Sequence, residues 1–138
     1  MRILAVDYGD RHIGLAVSDE TATLCGRAWT IDEYDFERAA QRIADEAKNL
    51  GAGRIILGLP KNMDGSLGPR AEKSIELSEL LGRASGLDII LWDERRTTVD
   101  AHRILSENGR RGKKRKAVID AVAASLILEG YLGTLAAN

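Results

Sequence analysis

Acidic residues border the apolar runs of this 138-residue chain in a pattern that could support metal-assisted chemistry. Asp7 follows the apolar residues 3–6, Asp93 and Glu94 follow residues 89–92, and Asp120 precedes the apolar run 121–128. A carboxylate at the end of a buried strand is costly to desolvate unless a cation compensates its charge. If these sites converge in the fold, their oxygen atoms would suit a hard divalent cation.

The hydrophobic pattern predicts the elements that would position these residues. Strands are predicted at 2–8, 12–18, 23–31, 54–59 and 87–92, and helices at 36–49, about 69–83, about 97–107 and about 116–131. The short connections between the first three strands require an antiparallel meander. The last two strands should enter by right-handed crossovers, parallel to the first. We therefore expect an α/β fold whose five-stranded mixed sheet is flanked by helices, with Asp7 and Asp93/Glu94 at the carboxyl ends of parallel strands.

Length and composition favour one domain spanning residues 1–138. With 44% apolar and 30% charged residues, the chain is neither disordered nor fibrous. Cys25 is the only cysteine, which excludes an internal disulfide and a cysteine-based metal site. The apolar run after Arg2 is too short for a signal peptide, and charged residues interrupt every longer run. We expect a cytoplasmic protein that does not span a membrane.

Four segments together carry a resemblance to a known family. They are Asp7-Tyr8-Gly9, Leu57-Gly58-Leu59-Pro60-Lys61-Asn62-Met63-Asp64-Gly65-Ser66, Asp93-Glu94-Arg95-Arg96-Thr97-Thr98 and Asp120-Ala121-Val122-Ala123-Ala124. Over its whole length the chain resembles the YqgF (RuvX) family, which implies a ribonuclease H-like fold. That family includes proteins assigned to maturation of the 16S ribosomal RNA precursor and others described as Holliday-junction resolvases.

Phosphodiester hydrolysis would give three of the carboxylates a role as metal ligands and catalytic residues. Two ions roughly 3.5–4 Å apart, either Mg²⁺ or Mn²⁺, can activate a water and stabilise the leaving oxygen. Asp7, at the centre of the sheet, is the candidate ligand shared by both ions, and Asp120 would approach from the last helix. Glu94 would bind one ion, since the family pattern favours it over Asp93. In the ribonuclease H strand order the fifth strand lies one place further from the first than the fourth, so Glu94 must reach inward.

Each carboxylate also has a purely structural interpretation. Asp7 could cap a turn by accepting from the backbone N–H groups of residues 9 and 10. Asp93 could pair with an arginine or hold a loop, because alternation places it and Glu94 on opposite faces of the strand. Asp120, near a predicted helix start, would be favourable with the helix dipole regardless of catalysis.

A basic run at residues 110–116 predicts contact with a polyanion, although a solvated loop would explain its charge equally well. The chain carries a net charge of −1, and this run alone contributes six positive charges. The candidate nucleic-acid-binding residues are Lys61, Asn62, Arg95, Arg96, Arg110, Arg111, Lys113, Lys114, Arg115 and Lys116. Aromatic residues are scarce, which favours recognition of backbone and shape over single-stranded bases. Trp92 is expected in the core, and the isolated His12 and His102 at turns or on the surface.

The favoured function is a divalent-metal-dependent endonuclease acting on structured nucleic acid, in processing of the 16S ribosomal RNA precursor. The alternative is a Holliday-junction resolvase, which would require a dimer. Two further hypotheses stay open: a nucleic-acid-binding module without catalysis, and an ATP-binding domain of the actin and sugar-kinase type. Precursor ribosomal RNA or branched DNA is the expected partner of a monomer or homodimer.

Overall fold

A five-stranded mixed sheet forms the centre of the molecule. The computed structural model describes residues 1–9, 11–96 and 112–136, with side chains to residue 95 and again from residue 120. The strands are β1 (Arg2–Tyr8), β2 (His12–Ser18), β3 (Cys25–Asp32), β4 (Ala52–Leu59) and β5 (Asp88–Asp93). They lie in the order β3-β2-β1-β4-β5. β1 pairs antiparallel with β2, β2 antiparallel with β3, and β4 parallel with both β1 and β5. The predicted α/β fold, a meander plus two parallel strands, is confirmed.

Three helices in the described part of the chain cover the two faces of this sheet. They are α1 (Phe36–Leu50), α2 (Pro69–Ser85) and α3 (Gly112–Ala136), and a short 3₁₀ turn at Glu94–Arg96 follows β5. Asp35 caps α1 by accepting a hydrogen bond from the Arg38 backbone N–H, and Gly51 ends the helix in the left-handed conformation with φ of 68°. Within the described ranges, none of these helices has the length and apolar character to cross a bilayer. The helix predicted at 97–107 lies outside the described residues.

Alternation along β1 divides the core into two layers. Leu4, Val6 and Tyr8 face α1 and α2, in a cluster that includes Ile43 and Leu77. On the opposite face, Ile3 and Ala5 pack against α3 residues such as Ile127 and Leu128. Asp7 continues the alternation of Ile3 and Ala5, so its side chain belongs to the α3 face at the carboxyl end of the central strand.

The sequence predicted the environments of three side chains, those of Trp92, His12 and His102. Trp92 is 7% exposed and contacts Tyr131 edge-to-face, with ring centroids 6.3 Å apart, so the expected core position is confirmed. The expected surface or turn position of His12 was wrong. This residue begins β2, is 7% exposed, and its Nδ1 lies 2.6 Å from Asp32 Oδ1 on the neighbouring strand. His102 lies outside the described residues.

Candidate active site

Asp7 and Glu94 come from the carboxyl ends of two parallel strands and meet on the α3 face. Their side chains share a hydrogen bond, which requires a proton between the two carboxyl groups. Burial, this hydrogen bond and the charge of Asp7 together raise the pKa of Glu94 to about 10. The negative charge of Asp120 acts in the same direction, which places the third predicted carboxylate within electrostatic range of the pair. The structure thus brings Asp7 and Glu94 into contact and places Asp120 near enough for its charge to act on Glu94.

Glu94 reaches Asp7 because the strand between them, β4, has a glycine at the point where the Glu94 side chain crosses it. β4 separates β5 from β1, so a residue at the end of β5 must pass over β4. Gly58 of β4 lies at that crossing, and a Cβ there would lie 2.8 Å from Glu94 Cδ and 2.8 Å from Ile127 Cδ1. Gly58 therefore provides the space for the inward reach that the strand order demands of Glu94.

A second strand glycine lets α3 bring Asp120 close to the sheet. Gly14 pairs with Asp7 across the β1–β2 ladder, and a Cβ on Gly14 would overlap the carbonyl group of Asp120. The helix-start interpretation of Asp120 was wrong, since α3 begins at Gly112 and Asp120 lies about two turns inside it. The helix dipole acts mainly within the first turn, so it does not account for a carboxylate at this position.

Asp93 points away from the pair and binds Arg95. Its Oδ1 accepts from the Arg95 backbone N–H at 3.0 Å, and its Oδ2 accepts from Arg95 Nη2 at 2.6 Å. The Arg95 hydrogen bonds hold the pKa of Asp93 below its ordinary value, with Lys61 adding a smaller effect in the same direction. The alternative of Asp93 pairing with an arginine is thereby confirmed. The turn-capping interpretation of Asp7 has less support, because the Gly9 N–H donates instead to the His12 carbonyl at 3.1 Å.

Arg70 is a cation at this site that the sequence reasoning missed. It lies in the first turn of α2, is exposed to solvent, and its positive charge opposes the rise in the pKa of Glu94. The signal was its place directly after Pro69, which begins the helix that follows the loop 61–66. Gly14 and Gly58 were also missed, although glycine inside a strand is a known sign of close approach by another chain segment.

The predicted nucleic-acid-binding residues are placed to different extents. Lys61 and Asn62 lie in the loop between β4 and α2, at the active-site end of the sheet. Arg95 follows Glu94, while Arg96 is described only by its backbone. Arg110 and Arg111 lie outside the described residues, and of Lys113, Lys114, Arg115 and Lys116 only the helical backbone is described. Their contact with nucleic acid stays a prediction.

The carboxylates supply hard oxygen ligands of the kind that Mg²⁺ and Mn²⁺ prefer. Among the side chains that the structure describes, no group of three His, Cys, Asp or Glu residues is arranged as a finished metal site. Burial and the neighbouring Asp7 favour the protonated form of Glu94. The donor chemistry fits a divalent ion, and binding would require Glu94 to lose its proton.

Comparison with known proteins identifies the family. The family model described as "RuvX: Holliday junction resolvase" matches residues 1–134.

The chain belongs to the RuvX family.

Relatives match this RuvX chain over nearly its full length. A protein of Halothermothrix orenii named "Putative pre-16S rRNA nuclease" is 46% identical over 132 residues, which cover 96% of this chain and 94% of the relative. A protein of the same name from Acetivibrio thermocellus is 44% identical over 134 residues, covering 96% and 95%. The RuvC of T. thermophilus, solved in complex with a Holliday junction substrate, has a TM-score of 0.61 at 12% identity and 97% coverage of both chains. That likeness confirms the ribonuclease H-like fold.

Proposed function

We propose that this RuvX protein is a divalent-metal-dependent endonuclease that hydrolyses phosphodiester bonds in the 16S ribosomal RNA precursor. The observation that carries the proposal is the meeting of Asp7 and Glu94, with Asp120 in electrostatic range, at the carboxyl edge of the sheet. A fold needs no such cluster for its stability, because like charges brought together in a partly buried site oppose folding. The names of the curated relatives support the substrate.

Each carboxylate has a distinct place in this proposal. Asp7, on the central strand, would be the ligand shared by two ions, with Glu94 and Asp120 completing the set from either side. Bound Mg²⁺ or Mn²⁺ would supply a nucleophilic water and stabilise the charge that develops on the phosphate. Gly58 and Gly14 support this arrangement, because they leave room for Glu94 and for the close approach of α3.

The neighbouring cations would hold the substrate rather than react with it. Arg70 and Lys61 lie at the two ends of the segment that joins β4 to the first turn of α2. Together with the basic run at 110–116, they would contact phosphates on either side of the cut. Binding of this kind depends steeply on salt and only weakly on sequence.

The family description favours a second candidate, a Holliday-junction resolvase. The same carboxylates would serve, because the bond that is cut is again a phosphodiester. A resolvase must cut two symmetric strands, which requires two active sites and therefore a dimer. A protein that stays monomeric by analytical ultracentrifugation while bound to a junction would contradict this second function.

A cleavage assay with two substrates tests both candidates. A 16S-leader RNA and a four-way DNA junction are incubated with Mg²⁺ or Mn²⁺ and with wild-type protein, Asp7→Asn or Asp88→Asn. Asp88 is the matched control, since it is an exposed carboxylate at the opposite end of β5. We expect cleavage of the RNA that Asp7→Asn abolishes and Asp88→Asn leaves unchanged. Cleavage that survives Asp7→Asn would refute the proposal, and binding of both substrates without cleavage would favour a non-catalytic module.

A further inference from the structure

The loop between β4 and α2 is held in one conformation by its own hydrogen bonds. The Asn62 N–H donates to the Ser66 carbonyl at 3.0 Å, and the Gly65 N–H donates to the Asn62 carbonyl at 2.8 Å. Asp64 Oδ1 accepts from both the backbone N–H and the hydroxyl of Ser66, at 2.9 and 2.6 Å. Gly65 has a φ of +88°, a conformation that side chains disfavour. These hydrogen bonds order the backbone of the loop, so its side chains project from defined positions.

The same loop is tied to Asp93, the last residue of the strand that precedes Glu94. Arg95 Nη1 donates to the Met63 carbonyl at 3.3 Å, while Nε and Nη2 of the same guanidinium bind the Asp93 carboxylate. Asp93 directly precedes Glu94 in the chain. The backbone of Met63 is therefore linked to Asp93, the neighbour of Glu94, through one planar guanidinium group.

At the tip of this fixed loop stands an apolar side chain that the core does not use. Met63 is 89% exposed, the largest fraction among the exposed large apolar residues that the structure describes. Leu67, four residues further along the same connection, is 47% exposed. Binding residues are found disproportionately on loops that a rigid scaffold positions, and this loop lies at the end of the sheet where Asp7 and Glu94 meet.

We propose that Met63 packs against an unstacked base next to the scissile phosphate and so fixes which phosphate enters the active site. This inference rests on the nuclease function proposed above. The thioether is polarisable and packs well on aromatic faces, and apolar side chains such as methionine are used as wedges between base steps. Lys61 and Arg70, on either side of the loop tip in the chain, would hold the flanking phosphates while the base contacts Met63.

The contact predicts a preference among structured substrates. Branch points, bulges and loops contain unstacked bases, whereas a regular duplex would first have to be unstacked, which costs free energy. Met63 would therefore favour cleavage beside an unpaired nucleotide in a folded RNA or at a junction. Recognition would combine phosphate contacts with a single base contact.

Substitutions at Met63 test this inference with two readouts. Wild type, Met63→Ala, Met63→Leu and Leu24→Ala are compared on the same leader RNA and four-way junction. Leu24 is the matched control, because it is 67% exposed and lies in the β2–β3 turn at the opposite end of the sheet. We expect Met63→Ala to lower kcat/KM about 3- to 10-fold and to spread the cuts over neighbouring positions. Met63→Leu should restore most of the loss, and Leu24→Ala should change nothing.

The second readout does not depend on cleavage. In the Asp7→Asn background, 2-aminopurine placed singly at the junction branch point or at unpaired leader nucleotides reports base stacking by its fluorescence. We expect one position to respond to the protein and that response to be lost in Met63→Ala. Equal rates, cut positions and fluorescence in wild type and Met63→Ala would refute the base contact while leaving the nuclease intact. Failure of the wild-type protein to bind either nucleic acid would overturn both proposals.

Discussion

Replacing Glu94 by glutamine should make the metal-free protein more stable, although it removes a proposed catalytic residue. Glutamine has the shape of a protonated glutamate and can donate its amide N–H to Asp7 in the same way. It does so without having to acquire a proton on folding. The variant therefore isolates the energetic cost of bringing Glu94 beside Asp7 and Asp120.

The size of the effect follows from the pKa of Glu94. Its ordinary pKa is 4.5, and burial and Asp7 raise it to about 10 in the folded protein. The folded state therefore keeps a proton that the unfolded state loses above pH 4.5, so stability is greatest below that pH and falls as pH rises toward 10. Each pH unit in this interval costs about 1.4 kcal/mol, which gives about 3 kcal/mol at pH 7. Water that reaches this partly exposed site reduces the penalty, so we expect Glu94→Gln to gain about 1–3 kcal/mol.

Urea unfolding with EDTA at pH 5, 6, 7 and 8 measures this difference directly. The advantage of Glu94→Gln over wild type should be small at pH 5 and grow with pH. Glu79→Gln, an exposed change in α2, is the matched control and should show no such trend. Millimolar Mg²⁺ should stabilise wild type and narrow the gap, because the ion binds the ionised carboxylates. A variant that is less stable than wild type at pH 7, or a difference independent of pH, would refute the reasoning.

Two further predictions concern Gly58 and Gly14, the glycines that leave room for Glu94 and Asp120. Gly58→Ala places a methyl group against the ends of Glu94 and Ile127; because flexible side chains can move aside, we expect the fold to persist and cleavage to fall at least about 10-fold. Retained wild-type cleavage by a folded Gly58→Ala protein would contradict the crossing of Glu94 over β4. Gly14→Ala meets the backbone of α3 at Asp120, so urea unfolding should show a loss of about 1–3 kcal/mol together with a loss of activity. Gly133→Ala, with open space around its Cβ, is the control for both glycines and should be stable and active.

The strands and their relative directions could be predicted from the sequence because they depend on local patterns and connection lengths, whereas the strand order was implied by the family resemblance. The spans of β1 and β2 match the predicted 2–8 and 12–18, and short connections left only an antiparallel meander for the first three strands. The last helix was harder to delimit. It begins at Gly112, inside the basic run, rather than near residue 116. Six charged residues among the seven at 110–116 show no apolar period that would predict a helix.

For the active site, the sequence could predict candidate residues but not which of them come into contact. Asp7 could be named because it ends an apolar central strand, and the acidic pair at 93–94 because it ends another. The sequence could not choose between Asp93 and Glu94 from periodicity, since β5 ends there and a 3₁₀ turn redirects the chain. Arg70 was missed because it and Glu94 are distant in the sequence and become neighbours only in the folded protein. Local sequence patterns do not predict such a contact.

The sequence by itself determined the fold class, the strands whose ends carry carboxylates, and the resemblance that assigns the chain to its family. Tertiary structure decided how those carboxylates meet. Glu94 crosses β4 only over Gly58, and Asp120 approaches the sheet only over Gly14. The absence of a side chain at these two glycines therefore sets the geometry of the carboxylates. The physical reason is that periodicity specifies which face a residue occupies, whereas the distance between two faces depends on the volume of every side chain packed between them.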